Sequence, residues 1–166
     1  IQQWQYLNTR SIAWRPYTYD LAISNGEDAI MIRSSEGSSR GLVDVSAEAL
    51  AYSPDGTQLA IALTPLYPTA DESAKTQSYA PGQRGIWIVD ADTGALLHEL
   101  ADDGPTNFVT YTPDNRTLAA VDGRRLRAWD VASQTLLFES QLLDYADGWA
   151  LTAHGDEIAI LSRHAG

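Results

Sequence analysis

Short runs in which apolar and polar residues alternate recur along the chain, and turn-forming residues separate them. In four places a bulky residue is followed seven positions later by Leu or Ile and then by Ala. Alternation with a period of two predicts β-strands, and a spacing repeated without gaps predicts an internal structural repeat. The four copies are Trp14 with Leu21 and Ala22, Tyr52 with Leu59 and Ala60, Tyr111 with Leu118 and Ala119, and Leu151 with Ile158 and Ala159.

The segment between the bulky residue and the aliphatic-Ala pair has the composition of a tight turn. It reads Ser-Pro-Asp-Gly at 53–56 and Thr-Pro-Asp-Asn at 112–115. Proline presets φ at the second turn position, and Asp, Gly and Asn tolerate tight or left-handed backbone. Two apolar runs on either side of such a turn predict a β-hairpin. The turns of the outer copies, at 15–16 and 153–156, are degenerate versions of this pattern.

Two further apolar runs follow each complete hairpin and predict a third and a fourth strand. The copies are spaced 38, 59 and 40 residues apart, and the long interval contains one insertion at 64–83. Each unit is therefore predicted to hold four short antiparallel strands, and the fold class is all-β. The predicted third strands lie at 29–33, 85–89 and 125–129, and the fourth strands at 42–45, 95–100 and 135–140.

This unit resembles the WD40 repeat. The resemblance is carried by the Ser-Pro-Asp-Gly turn at 53–56 and by third strands that end in Val89-Asp90 or Trp129-Asp130, and it extends over nearly the whole chain. The repeats of bacterial WD40-type and TolB-like propellers are similar in the same features. The resemblance implies a β-propeller built of four-stranded antiparallel blades.

Counted as blades, the repeats amount to about three and a half, a partial ring. Such a ring leaves faces and strand edges exposed, so further blades from the same or another chain are expected. We favour a fragment of a larger chain; closure by two copies and a small four-bladed ring are the alternatives. The assigned units are an outer strand of a preceding blade at 1–10, blades at 11–46, 47–101 (with the insertion 64–83) and 102–141, and the first half of a further blade at 142–166.

Charge and composition narrow the classes of partner. The net charge is −11, from 22 acidic and 11 basic residues. A surface this acidic repels phosphate backbones, so we expect no nucleic acid partner and favour a basic protein. No apolar run reaches the roughly 18 to 20 residues that a membrane span needs. The chain has no cysteine, which excludes disulfides and thiolate metal sites and leaves the compartment open.

The sequence shows no catalytic, cofactor-binding or metal-binding set of residues, and we expect neither an enzyme nor a cofactor. The three histidines lie far apart in the repeat scheme and lack metal-ligand spacing. No nucleophile-elbow or phosphate-binding loop motif is present. The recurring acids occupy turns or strand ends and are interpreted as structural. These residues are His98, His154 and His164, and the acids Asp28, Asp55, Asp90, Asp114, Asp122 and Asp130.

Candidate binding residues lie in the connections after the second and fourth strands, which a propeller places at one end, the top. The insertion at 64–83 is the most unusual of these loops, because it is rich in proline and tyrosine. This composition favours a partly ordered loop with aromatic contacts; a tolerated hairpin extension is the alternative. The candidate partner-binding residues are Tyr67, Tyr79, Asp102, Asp103, Asp144 and Asp147.

Two functions are compatible with these observations. The first is a non-catalytic scaffold that binds a protein partner through its top, as the WD40 resemblance implies. The second is a sensor or enzyme propeller that binds a small ligand or cation in blades outside this sequence. Fold alone is a weak indication of function, so the two stay open at this point.

Overall fold

The structure, a computed structural model, describes residues 9–24, 30–34, 36–64, 85–100, 106–142, 146–151 and 157–162. Residues 1–8 of the outer strand predicted at 1–10, and almost all of the insertion at 64–83, lie outside these residues. All regular secondary structure in the described part of the chain is β-strand, which confirms the predicted all-β class.

The described residues form fourteen strands. In chain order they are β1 (Ser11–Trp14), β2 (Leu21–Ser24), β3 (Ile30–Arg33), β4 (Ser39–Val43), β5 (Ala47–Tyr52), β6 (Gln58–Leu63), β7 (Ile86–Asp90), β8 (Leu96–Leu100), β9 (Phe108–Tyr111), β10 (Thr117–Asp122), β11 (Arg125–Asp130), β12 (Leu136–Gln141), β13 (Ala146–Leu151) and β14 (Ile158–Ser162).

Three four-stranded sheets and one two-stranded sheet follow one another along the chain. Sheet 1 is β1–β4, sheet 2 is β5–β8, sheet 3 is β9–β12 and sheet 4 is β13–β14, and neighbouring strands in each are consecutive and antiparallel. The predicted four-strand unit is therefore confirmed in three copies. Among the described residues, strand pairing stays within each sheet and does not join the first sheet to the last.

One strand differs from its predicted position. The fourth strand of sheet 1 runs over Ser39–Val43 instead of 42–45. It begins earlier because Ser39 pairs with Arg33 and Arg40 with Ile32 across the ladder. The strand is the outer one of its sheet, and its first three residues are exposed. A search for apolar runs therefore misses its polar first half.

Sheets 1 and 2 stack through faces of opposite character. Tyr52 and Leu59 of sheet 2 lie in one apolar cluster with Ala22 of sheet 1, and Ala13 packs against that cluster. The register pairs Tyr52 with Leu59, and Ala13 with Ala22, so each sheet contributes one matched pair. A bulky pair on sheet 2 thus covers a small pair on sheet 1.

The same arrangement recurs between sheets 2 and 3. Tyr111 and Leu118 lie in a second apolar cluster with Ala60, against which Ala51 packs. Successive residues of a strand point to opposite faces, so Leu59 points to the preceding sheet and Ala60 to the following one. The repeated Leu-Ala pair is therefore explained by stacking. We call the bulky side of each sheet its preceding face and the small side its following face.

The turn between the third and fourth strands of sheet 2 also contacts sheet 1. Gly94 has a φ of +74°, and a Cβ atom at this position would collide with the backbone carbonyl of Leu42. Both the left-handed backbone and the close approach require glycine here.

Candidate functional site

The antiparallel order gives each sheet two distinct ends. The turns between the first and second strands, and between the third and fourth, lie at the end that we call the bottom. The other connections lie at the opposite end, the top. Charged residues with defined partners lie at both ends.

Bottom-end carboxylates close the turns between first and second strands. Asp55 accepts hydrogen bonds from the Ser53 hydroxyl at 2.7 Å and from the Thr57 amide at 3.0 Å and hydroxyl at 2.8 Å. Asp114 repeats the arrangement in sheet 3, accepting from the Thr112 hydroxyl at 2.7 Å and the Arg116 amide at 3.0 Å. These acids are structural, as the turn pattern indicated.

The acids that end the third strands have the same role in the next turn. Asp90 accepts hydrogen bonds from the Thr93 amide at 2.8 Å and hydroxyl at 2.7 Å. Asp130 accepts from the Ser133 amide at 2.8 Å and hydroxyl at 2.7 Å. The Asp at the end of the WD40-like strand thus fixes the turn that leads into the outer strand.

Hydrogen bonding lowers the pKa of all four carboxyl groups. The Ser53 hydroxyl is the main cause for Asp55 and the Thr112 hydroxyl for Asp114. For the strand-end pair, the hydroxyl of Thr93 lowers the pKa of Asp90, and the backbone amide of Ser133 that of Asp130. In each case the bonds favour the ionised form.

Acid is therefore expected to destabilise the fold through these turns. Because the folded-state pKa values are lowered, the stabilisation is present above the ordinary Asp value of 3.8 and is lost as the pH falls through the folded-state values. The midpoint temperature of thermal unfolding, measured between pH 6 and about 2.5, should fall mainly below about pH 4. A combined Asp55→Asn and Asp114→Asn variant should have a lower midpoint temperature at pH 6 and a smaller decrease on acidification. A variant that falls as steeply as the parent would contradict this assignment.

Ion pairs at the bottom tie sheet 1 to sheet 2. The Arg15 guanidinium lies 2.6 Å from the Asp92 carboxylate and donates to the Gly56 carbonyl at 2.8 Å. The bond to Arg15 lowers the pKa of Asp92, and the same bond raises the pKa of Arg15. The degenerate first turn, which lacks the Ser-Pro-Asp-Gly sequence, thus contributes an inter-sheet contact instead.

Outer strands also reach the bottom turn of the next sheet. Arg40 of β4 donates to the Ala91 carbonyl at 3.5 Å. His98 of β8 occupies the matching position, and its Nδ1 lies 3.0 Å from Nε2 of Gln134. His98 therefore bridges sheets 2 and 3 at the surface. The other two histidines lie outside the described residues.

A buried charge cluster lies at the top end of sheet 3. Asp122 and Arg127 are 7% and 4% exposed, and their carboxylate and guanidinium lie 2.7 Å apart. The same carboxylate oxygen lies 2.7 Å from Arg125, whose backbone amide donates to Asp122 at 3.1 Å. The Arg127 guanidinium carbon also lies 5.6 Å from the ring centroid of Trp129. Asp122 braces its own sheet, as its turn position indicated; the corresponding Asp28 lies outside the described residues.

The predicted partner-binding residues are not brought together in one site in the described part of the chain. Five of them lie outside the described residues. The sixth, Asp147, lies in β13 and not in the connection before it, because the strand begins at Ala146, and only the backbone of Asp147 is described. The five are Tyr67, Tyr79, Asp102, Asp103 and Asp144.

Sequence reasoning missed two exposed aromatic residues in the first bottom turn. Tyr17 and Tyr19 are 93% and 78% exposed, and Tyr17 has a φ of +60°. The alignment of the repeats contains the signal, because the second and third copies carry Asp55 and Asp114 at the position of Tyr17. An aromatic residue with left-handed backbone at this position departs from the pattern of the repeat.

Two further observations concern the described residues alone. No three His, Asp or Glu side chains converge there in a way that could hold a metal ion. Across the same residues, no helix has the length and apolar character to cross a membrane.

Comparisons with known proteins show the fold and no family. No family model matches the chain, and no curated protein matches it. Among solved structures, Hydrazine Synthase of Kuenenia stuttgartiensis is similar, with a TM-score of 0.76 and 16% sequence identity. The match covers 99% of this chain and 45% of that chain, so this chain spans less than half of that protein's length. In all, 786 solved chains match, so the fold is common and does not point to one activity. The chain has an all-β fold of stacked four-stranded antiparallel sheets, which is compatible with a propeller.

Proposed function

We propose that the chain is a segment of a WD40-like β-propeller that acts as a non-catalytic scaffold and binds a protein partner through its top end. The observation that carries the proposal is the use of the bottom-end carboxylates. Asp55, Asp90, Asp114 and Asp130 all accept hydrogen bonds within their own turns. The most regular acids of the sequence therefore hold turns together, and the connections at the top remain for recognition.

The position of the insertion supports recognition at the top. Inter-sheet contacts tie the bottom turns together through Arg15 and Asp92, and through the Asp55 amide and Asn115. The insertion at 64–83 begins and ends at the opposite end of sheet 2. The top thus carries the segment that interrupts the repeat, above turns that are joined between sheets.

Charge supports a basic partner. The chain carries 22 acidic residues against 11 basic ones. Four of the bottom acids are already engaged in turns, whereas Asp102, Asp103 and Asp144 fall in connections after fourth strands. Like charges gathered at one end speed encounter with a basic surface, and salt screens them over about 8 to 10 Å. Tyr67 and Tyr79 would add aromatic area, which dominates interface hot spots.

Deleting residues 65–81 is expected to weaken partner binding by at least about tenfold while leaving the sheets folded, because the deletion removes the aromatic residues and no described strand. Replacing Asp102 and Asp103 by Asn should mainly slow association, and added salt should reduce the association rate of the parent. Proteins retained by the immobilised parent chain would be purified, and their binding to the parent and to both variants would be measured by biolayer interferometry at two salt concentrations.

Glu36→Gln is the matched control for charge. Glu36 is exposed in a bottom turn, so its replacement should leave binding unchanged. Circular dichroism of each variant checks that the strands persist. A partner whose affinity survives both top-end changes, or one lost equally with Glu36→Gln, rules out recognition at the top.

A further inference from the structure

The preceding face of sheet 1 is exposed where its counterparts are buried. Trp14 is 65% exposed, whereas Tyr52 and Tyr111 at the same repeat position are 8% and 5% exposed. Ile12 is 56% exposed, and its counterparts Leu50 and Val109 are 7% and 5% exposed. The residue types are those of a sheet-stacking face, and no sheet in the described part of the chain covers them.

Apolar residue types continue across three strands of sheet 1. The register places Trp14 opposite Leu21, and Ile12 opposite Ile23, which pairs in turn with Met31. Leu21 and Met31 are partly exposed, whereas Ile23 is 3% exposed. In sheet 2 the matching positions, Leu50 and Ile61, are buried in the cluster shared with sheet 1, and Trp87 packs against it. In both stacked pairs, sheets 1 and 2 and sheets 2 and 3, such a face is covered by a following face that carries a cross-strand alanine pair.

An uncovered alanine pair of this kind is present in sheet 4. The register pairs Ala150 with Ala159, just as it pairs Ala51 with Ala60 and Ala13 with Ala22. Ala150 and Ala159 are both exposed. Sheet 1 and sheet 4, the first and the last sheets of the described residues, therefore present complementary surfaces, one bulky and one small.

We propose that this chain associates head to tail with a second copy of itself, the preceding face of sheet 1 in one copy covering the following face of sheet 4 in the other. Trp14 would lie on Ala150 and Ala159 as Tyr52 lies on the alanine pair of sheet 1. The contact joins two different surfaces, so the dimer keeps one free surface of each kind, one on each copy, for closure or extension. The inference is independent of the proposed top-end function, because neither surface belongs to the top loops.

The effect of salt distinguishes self-association from partner binding at the top. Each copy has a net charge of −11, so two copies repel each other, and screening should strengthen their association. Binding of a basic partner at the top should weaken under the same conditions. Self-association that weakens with salt would therefore contradict an apolar contact between like-charged copies.

The decisive experiment uses two variants that each lose one surface, measured by sedimentation velocity over a range of protein concentrations. Trp14→Ser removes the bulky anchor, and Ala159→Glu places a charge on the small face. Each variant alone should associate at least about tenfold more weakly than the parent. An equimolar mixture should recover a one-to-one dimer, because each variant retains the surface that the other has lost.

Controls keep the test specific. Tyr17→Ser removes an exposed aromatic residue from a bottom turn and should leave association unchanged. If circular dichroism shows that Ala159→Glu disturbs the strands, Ala150→Glu replaces it in the mixture. A parent chain that stays monomeric at every concentration overturns the proposal. So does a mixture that fails to dimerise, since contact between two like faces cannot be restored by complementary variants.

Discussion

Replacing Tyr111 by alanine is expected to lower the free energy of unfolding by about 3–5 kcal/mol, the range seen when a buried aromatic residue is truncated. Tyr111 is 5% exposed and lies in the cluster that joins sheets 2 and 3. Its removal would leave a cavity over Ala51 and Ala60 that two β-sheets cannot easily close. Burial raises the pKa of the Tyr111 phenol, in keeping with its position in an apolar interior.

Trp14→Ala is the matched control, because Trp14 occupies the same position of the repeat. Its side chain is 65% exposed, so the change in unfolding free energy should stay within about 0.5 kcal/mol. Urea unfolding followed by far-ultraviolet circular dichroism, at a protein concentration where the chain is monomeric, measures both variants. Equal losses at the two positions would show that the stacking described between sheets 2 and 3 does not hold in solution.

Asp122→Ala is the second change with a large expected effect, about 3–5 kcal/mol of unfolding free energy. The Asp122 carboxylate lies 2.7 Å from both Arg125 and Arg127, and the Arg127 side chain is 5% exposed. Removing the carboxylate would take away the charge that pairs with the buried Arg127 guanidinium, and the turn would lose the acceptor for the Arg125 amide.

A double-mutant cycle separates the contribution of the buried charge to the unfolding free energy from the contribution of the turn. Adding Arg127→Met to Asp122→Ala should restore part of the lost stability, because the second change removes the buried charge that Asp122 had paired. Asp130→Ala in the same sheet is the comparison, since its carboxylate also holds a turn but is exposed, and its effect should be clearly smaller. If the double variant is no more stable than Asp122→Ala, the loss arises from the turn and not from the buried charge.

The repeat was predictable because packing imposes it. A bulky residue, Leu and Ala recur at fixed spacing since each must reach a particular neighbouring sheet, and this requirement is visible in the order of residues. The turn acids were predictable for a similar reason: an Asp such as Asp55 bonds groups only two residues away. Local geometry of this kind needs no knowledge of the rest of the fold.

Features that depend on distant contacts could not be predicted. Ser39 and Arg40 extend an outer strand, but they are exposed, so no apolar pattern marks them. Arginine is usually exposed, so the sequence gives no reason to expect Arg127 in the interior. It is buried where its side chain contacts Asp122 and Trp129. The exposure of Trp14 is likewise invisible in a repeat where its counterparts are buried. The candidate top-end residues remain predictions, because their side chains lie outside the described part of the chain.

The opposite character of the two faces has a consequence for how such a chain can grow. Sheet 2 carries a bulky surface toward sheet 1 and a surface with an alanine pair toward sheet 3, as Leu59 and Ala60 show. A tandem duplication of the segment 47–100 would therefore create a new junction whose halves already fit, without any compensating substitution. If the two faces of a unit were identical, a neighbouring unit could also pack in the inverted orientation. Because the two faces differ, each unit packs on the next in one orientation. Gene lengthening by whole units is thus compatible with folding at every step, and the number of units can change while the rule for joining them stays the same.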